Sequence, residues 1–363
     1  MITANRGQKF CYARTSVSSV ETFRADWPRL EAMSGTPLSS LPTAERDSER
    51  IESCLLQTVE IPGDAYLSEI ASHLIKAGGK RQRPHFTVVA AATELADGEP
   101  VHDDVVRGGV AVELVQVGSL YHDDVMDEAQ LRRQVPSVNA RWGNLRAILA
   151  GDFLLAKASE IAASLGTEVA GLLAATIGEL CKGQVAELQT LYDINRTEEQ
   201  YYPSIAGKTA SLFSAATRIG GIVAGSDRDT IDRLTQFGRY YGMAFQVVDD
   251  VLDVIATDEQ LGKPAGKDML EGVYSLPVIH TLACGAGDEL RGLLQDGLTE
   301  ADRLQAIECV RRGPGIDSAL SIAEGFVEKA KSEILAVAEN KAAQALAYTA
   351  QHLLDSAAAA KAA

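Results

Sequence analysis

The chain has 363 residues, 46% of them hydrophobic and 23% charged, with a formal net charge of −16. That balance is ordinary for a folded globular protein, and it argues against a nucleic-acid binder, because a phosphate backbone is normally met by a basic stripe that this sequence lacks. No apolar run reaches the roughly 18 residues of a membrane span, and the five cysteines (Cys11, Cys54, Cys181, Cys284, Cys309) are odd in number and scattered without ligand spacing, which suits reduced thiols in the cytoplasm.

Residues 1–45 mix Arg, Ser, Thr and Pro without sustained periodicity and lack the apolar centre of a secretory signal. They are expected to form a poorly ordered extension, with Met33 a candidate alternative start. Apolar residues at helical spacing then predict helices over 51–59, 65–75, 86–95, 105–126, 144–165, 169–191 and 209–223. Ser226 with Asp229 three residues on reads as a capping box opening a long helix that ends near Ile255. Helical pattern resumes over 276–284, 289–294, 300–311, 316–336 and 342–354. Alanine is abundant and period-2 alternation nearly absent, so the fold class is all-α. No Pro, Gly or Ser linker divides residues 46–355, which read as one helical domain, and 356–363, SAAAAKAA, is expected to fray.

The stretch 105–126 reads as a helix buried over most of its circumference, yet it runs out into Asp123, Asp124 and Asp127. Residues four apart share a face, which brings two of these carboxylates to roughly 5–6 Å at Cβ. Like charges that close call for a cation. The same Asp-Asp-x-x-Asp pattern returns as Asp249, Asp250 and Asp253, again closing an apolar helix. One acidic helix end is most simply a solvated surface, whereas two copies point to a shared metal site. Oxygen ligands without His or Cys suit Mg²⁺, which takes one or two carboxylates and leaves its other positions to water and phosphates.

Gly78-Gly79-Lys80-Arg81-Gln82-Arg83-Pro84 stands at a helix boundary and offers backbone N–H groups with several cations to a phosphate. A solvated basic loop is the plain alternative. Arg132 and Arg133 follow the first acidic cluster and could neutralise it or hold a second anion. Gly207-Lys208-Thr209 is not a P-loop, since Tyr202 stands where that motif needs glycine. Gly220, Gly221 and Gly225 likewise miss the dinucleotide fingerprint. His122 beside the acidic cluster reads as a packing or hydrogen-bonding residue rather than a ligand.

Taken together and in order, GGKRQRP, LYHDDVMDEAQLRR, GKTASLF and FQVVDDVLDVIATDEQLGKPAGKD resemble the trans-isoprenyl diphosphate synthases, or polyprenyl synthetases, over residues 46–355. The resemblance implies a bundle of antiparallel helices around a central cavity, usually homodimeric. It implies condensation of isopentenyl diphosphate with an allylic diphosphate, and Mg²⁺ held by Asp123, Asp127 and Asp249, with Asp124, Asp250 and Asp253 in support. Lys208, Thr209, Gln246, Lys263 and Arg132 would hold the allylic diphosphate, and of these Lys208, Arg132 and Gln246 would act in the chemistry. Lys80, Arg83 and Arg133, with Gln116 nearby, would hold isopentenyl diphosphate. Gln116 stands where the family often has His, and Val273 where it often has Lys.

Positions four, five and eight before Asp123 are Ser119, Gly118 and Val115. By helix geometry they line the helix beneath the first cluster, and their small size predicts a product longer than fifteen carbons, in the range of about thirty to fifty. A geranylgeranyl or geranylfarnesyl diphosphate synthase is the nearest rival. A class I terpene cyclase would not need the second acidic cluster or the GGKR element. A subunit of a heteromeric synthase, catalytic or not, and an inert helical scaffold complete the alternatives.

Overall fold

Helix α1 (Ala44–Val59) opens the chain of helices and starts just inside the expected extension. It is followed by α2 (Ala65–Lys76), α3 (Gln82–Ala92) and α4 (Asp103–Met126). The computed structural model describes residues 37–257, 264–294 and 297–362; the first 36 residues, with Met33 and Cys11, and the site candidate Lys263 lie outside them. Beyond α4 come α5 (Val138–Trp142), α6 (Asn144–Ser164), α7 (Thr167–Leu188), α8 (Glu198–Ile205) and α9 (Ser211–Ala224). The long α10 (Arg228–Ile255) and the short α11 (Lys267–Leu270) lead to α12 (Leu276–Leu282) and α13 (Asp288–Leu294). Helices α14 (Arg303–Arg312), α15 (Gly315–Leu335) and α16 (Lys341–Ala362) end the chain.

Helix α4 is the hub. Val110, Ala111, Leu114, Val115, Val117 and Tyr121 are buried, and α6, α3, α9 and α1 pack around it. Each such side chain contributes roughly 1.5–3 kcal/mol on burial. The Tyr121 hydroxyl donates to the carbonyl of Ile70 at 2.8 Å, tying α4 to α2. Helix α10 belongs to two apolar clusters at once. Its first half gives Phe237, Tyr241 and Ala244 to the core around α4, and its second half gives Val247, Val248, Val251 and Val254 to a core shared with α12 to α15. No helix among the described residues is long and apolar enough to cross a membrane, and Cys54, Cys181, Cys284 and Cys309 are free thiols.

Several details depart from the sequence reading. Asp227, not Ser226, caps α10, its carboxylate accepting from Thr230 N at 2.9 Å. The alanine tail expected to fray continues α16 to Ala362, since alanine is the best helix former and Ala357 is buried. Helix α8, unexpected because it contains Pro203, opens on a capping box of Thr197 and Gln200. A two-residue hairpin pairs Leu131–Arg132 with Val135–Pro136. Its turn residues Arg133 and Gln134 both have positive φ, as such a tight turn demands.

Candidate active site

The first acidic cluster divides by environment. Asp123 is half-buried, Asp127 caps α4 and is exposed, and Asp124 is wholly buried on another face. Burial raises the pKa of all three. For Asp124, Arg132 offsets that effect with Nε at 2.7 Å and Nη2 at 2.6 Å from Oδ1. For Asp123 the offset comes from Lys208, while Asp127 pushes its pKa further up. The two outer carboxylates therefore lack a full countercharge.

The second cluster divides the same way. Asp249 is exposed, whereas Asp250 and Asp253 are buried. Asp250 accepts from Tyr201 Oη at 2.6 Å and from Gln246 Nε2 at 2.8 Å. Burial and neighbouring Asp268 raise its pKa well above the usual carboxylate range. The backbone N–H of Gly266 donates to the carbonyl of Asp253 at 2.7 Å, folding the returning chain back onto the end of α10.

One turn carries side chains that act on both clusters. Between α8 and α9 the chain makes a π-helical turn, Ala206–Ala210, an irregularity common at functional sites. It presses on α7 so closely that a Cβ on Gly207 would stand 2.5 Å from the Glu179 carbonyl, and one on Gly183 2.5 Å from Lys208 N. Only glycine permits that approach. Lys208 Nζ consequently reaches Glu187 Oε1 at 2.6 Å. Burial alone would lower its pKa, but Glu187, Asp123 and Asp127 together raise it. The next residue, Thr209, points the other way and donates to Gln246 Oε1 at 2.7 Å, hence toward Asp250. Adjacent residues thus address the two acidic helix ends.

Lys267 makes a second link. It follows the second cluster in sequence and pairs with Glu271 at 3.0 Å, yet its charge favours ionised Asp124 and Asp127. Lys267 stands in the same GKPAGKD stretch as the expected Lys263, and no spacing signal in the sequence separates the two.

On the basic side, Lys80 is exposed and Arg83 half-buried, its guanidinium 4.7 Å from the centre of the Phe213 ring. Burial pushes the Arg83 pKa down to about 10. Arg133 Nη1 donates to the carbonyls of Leu74, at 2.8 Å, and Gly78. Gln116, half-buried, precedes Ser119 and Asp123 along a partly open line of α4 at intervals of three and four residues. Gly118, a chain-length candidate, sits inside the contact of α4 with α6: its Cβ position lies 3.1 Å from the Gly151 carbonyl and 3.4 Å from Leu154 Cβ. Val115 is fully buried, so of the three candidate positions Ser119 alone lies on that open line. His122 turns to α6, within 3.1 Å of the Ile148 carbonyl.

Residues 64–310 match the family described as Polyprenyl synthetase. Over 301 residues the chain is 38% identical to a nonaprenyl diphosphate synthase of Mycobacterium tuberculosis, covering 82% of this chain and 89% of that protein. It is 37% identical to a heptaprenyl diphosphate synthase component 2 of Geobacillus stearothermophilus, covering 73% and 82%. The fold matches a polyprenyl synthase from Caulobacter crescentus, crystallised with calcium and isoprenyl diphosphate, with a TM-score of 0.80 at 33% identity, over 89% of this chain and 98% of that one.

Proposed function

Given that the chain belongs to the polyprenyl synthetase family, we propose that its acidic helix ends hold Mg²⁺ around an allylic diphosphate while its basic loop holds isopentenyl diphosphate. The enzyme is a prenyltransferase that joins the two substrates head to tail in the trans configuration. The observation that supports the site assignment is the pair Lys208 and Thr209: Lys208, bonded to Glu187, also feels the charges of Asp123 and Asp127, while Thr209 bonds Gln246, which in turn donates to Asp250.

The residues fit a hard divalent cation. They offer oxygen donors only, the ligand type such an ion takes alongside water and phosphate oxygens. Bound by Asp123, Asp127 and Asp249, Mg²⁺ would supply the positive charge on which a departing diphosphate depends. Asp124, Asp250 and Asp253 fix the helix ends through Arg132, Tyr201, Gln246 and the chain returning from α10.

As the allylic C–O bond breaks, its electron pair leaves with the diphosphate. Lys208 stabilises that growing charge by moving from Glu187 to a phosphate oxygen, with Arg132, Thr209, Gln246 and Lys263 as further donors. Lys80, Arg83, Arg133 and Gln116 orient isopentenyl diphosphate so that its terminal alkene carbon attacks the allylic carbon. A proton then passes to the released diphosphate. The apolar walls keep water from the cation.

The product is of medium or long chain, about thirty to fifty carbons, a reading supported by the small side chain of Ser119, the one candidate position on the open line below Asp123. The assembly is a cytoplasmic homodimer, for which Leu145, Ile148 and Leu149 on α6 and Val185 and Leu188 on α7 provide exposed apolar surface. Purified protein should extend labelled isopentenyl diphosphate from ten-, fifteen- or twenty-carbon allylic primers in the presence of Mg²⁺, and elute as a dimer. No elongation with any primer would overturn the reading and leave a subunit of a heteromeric synthase in its place.

A further inference from the structure

Arg81 stands in the middle of the basic loop, between Lys80 and Arg83, and its guanidinium has no hydrogen-bonding capacity left for a substrate. Arginine carries five N–H donors. Nε donates to Glu52 Oε1 at 2.6 Å, and Nη2 to Glu52 Oε2 at 3.2 Å and the Ile75 carbonyl at 2.7 Å. Nη1 donates to the Gly78 carbonyl at 3.2 Å and to Glu113 Oε1 at 3.3 Å. All five donors are used within the protein, and Arg81 and Glu113 are only 4% and 3% exposed.

These contacts fix the phosphate-facing loop in two ways. The Gly78 carbonyl that Arg81 holds also accepts from Arg133, so the loop and the hairpin share one anchor. Both guanidinium groups lie against Gly79, whose Cβ position would be 2.9 Å from Arg81 Nη1 and 3.0 Å from Arg133 Cζ. Arg81 itself takes a left-handed conformation, φ 45, unusual for a side chain of this size and sustained by that set of bonds. Glu113, on α4 ten residues before Asp123, also favours the charged forms of Arg83 and Arg133, both of which burial disfavours.

Building on the assignment of Lys80, Arg83 and Arg133 to isopentenyl diphosphate, we infer that Arg81, clamped by Glu52 and Glu113, is the positioning residue of that subsite. It contacts no substrate. It holds the loop so that the three neighbouring cations converge on one metal-free diphosphate.

The test is the division of kinetic effects between the two substrates. Arg81→Lys cannot reproduce five fixed donors, and Glu113→Gln removes the buried charge while keeping its shape. Each should raise KM for isopentenyl diphosphate at least tenfold, with KM for the allylic primer within twofold of the parent. Glu52→Gln, at a more exposed partner, keeps the test available if the buried variants do not fold, and should raise the same KM several-fold. Arg83→Ala is run beside them. If it raises KM for isopentenyl diphosphate while Arg81→Lys, Glu113→Gln and Glu52→Gln do not, the positioning role is wrong and the subsite assignment stands. If Arg83→Ala leaves that KM unchanged, the subsite assignment itself fails. Equal losses toward both substrates would mean that the clamp serves folding alone, which also overturns the inference.

Discussion

Gly207→Ala tests whether the π-helical turn really places the ligands of both acidic ends. The new methyl would start 2.5 Å from the Glu179 carbonyl and would have to retreat by about 0.9 Å to reach ordinary contact at 3.4 Å. Glu179 O is backbone in the middle of α7, so the turn must move. Retreat from α7 drives the turn toward α10, where a Cβ on Gly242 would already stand 2.5 Å from Ala210 Cα, so a shift of about 0.9 Å must distort the 2.7 Å Thr209 to Gln246 bond. Lys208, one residue away, is carried with it. A displacement near 1 Å of groups that must meet a transferring centre costs about 100-fold in rate, and the overpacking costs about 1–3 kcal/mol of stability. Steady-state kinetics with a fifteen-carbon primer should show kcat/KM reduced by about that factor, and calorimetry a Tm lowered by a few degrees. A variant within threefold of the parent in kcat/KM, with Tm unchanged, would refute the argument.

Lys208→Ala should lower kcat by about 100- to 1,000-fold, the usual loss when one preorganised donor opposite developing charge is removed, with folding intact by circular dichroism; a loss below tenfold would place the lysine outside the chemistry. Ser119→Phe should shorten the product seen by reversed-phase chromatography after dephosphorylation, whereas Gly118→Tyr, forced against the Gly151 carbonyl, should chiefly lower Tm. An unaltered Gly118→Tyr melting curve would contradict that packing. Carboxyls whose pKa is raised on folding, as for Asp123 and Asp127, bind more protons in the native than the unfolded state, so stability of the metal-free protein falls as pH rises from the unfolded through the folded pKa. Asp127→Asn should accordingly raise the metal-free Tm at pH 7 and weaken the gain on adding Mg²⁺; a lower metal-free Tm would count against the repulsion.

Much of this site was legible because its chemistry is written in residue types at helical spacing. Two Asp-Asp-x-x-Asp runs closing apolar helices announce themselves, and so does a basic loop framed by Gly and Pro. The division of labour inside each run was not legible. Asp123 and Asp124 are neighbours in sequence, yet one faces the cluster and the other turns inward to Arg132, a difference set by the hairpin at Arg133 and Gln134. That hairpin lacks the Asn-Gly or Asp-Gly pair that would have signalled it. The π-turn left no periodic trace either, since its single extra residue resembles a break between two helices. Gly118 shows the same limit: helix spacing gives its side of α4, but which neighbour fills that side depends on α6, some thirty residues further on.

Helix α10 has one further consequence. Its two halves are embedded in different apolar interiors, so among the described residues it serves as a spine common to both. Heating should give one calorimetric transition, and a cavity opened at Val251 should loosen the packing near Phe86 as surely as its own surroundings.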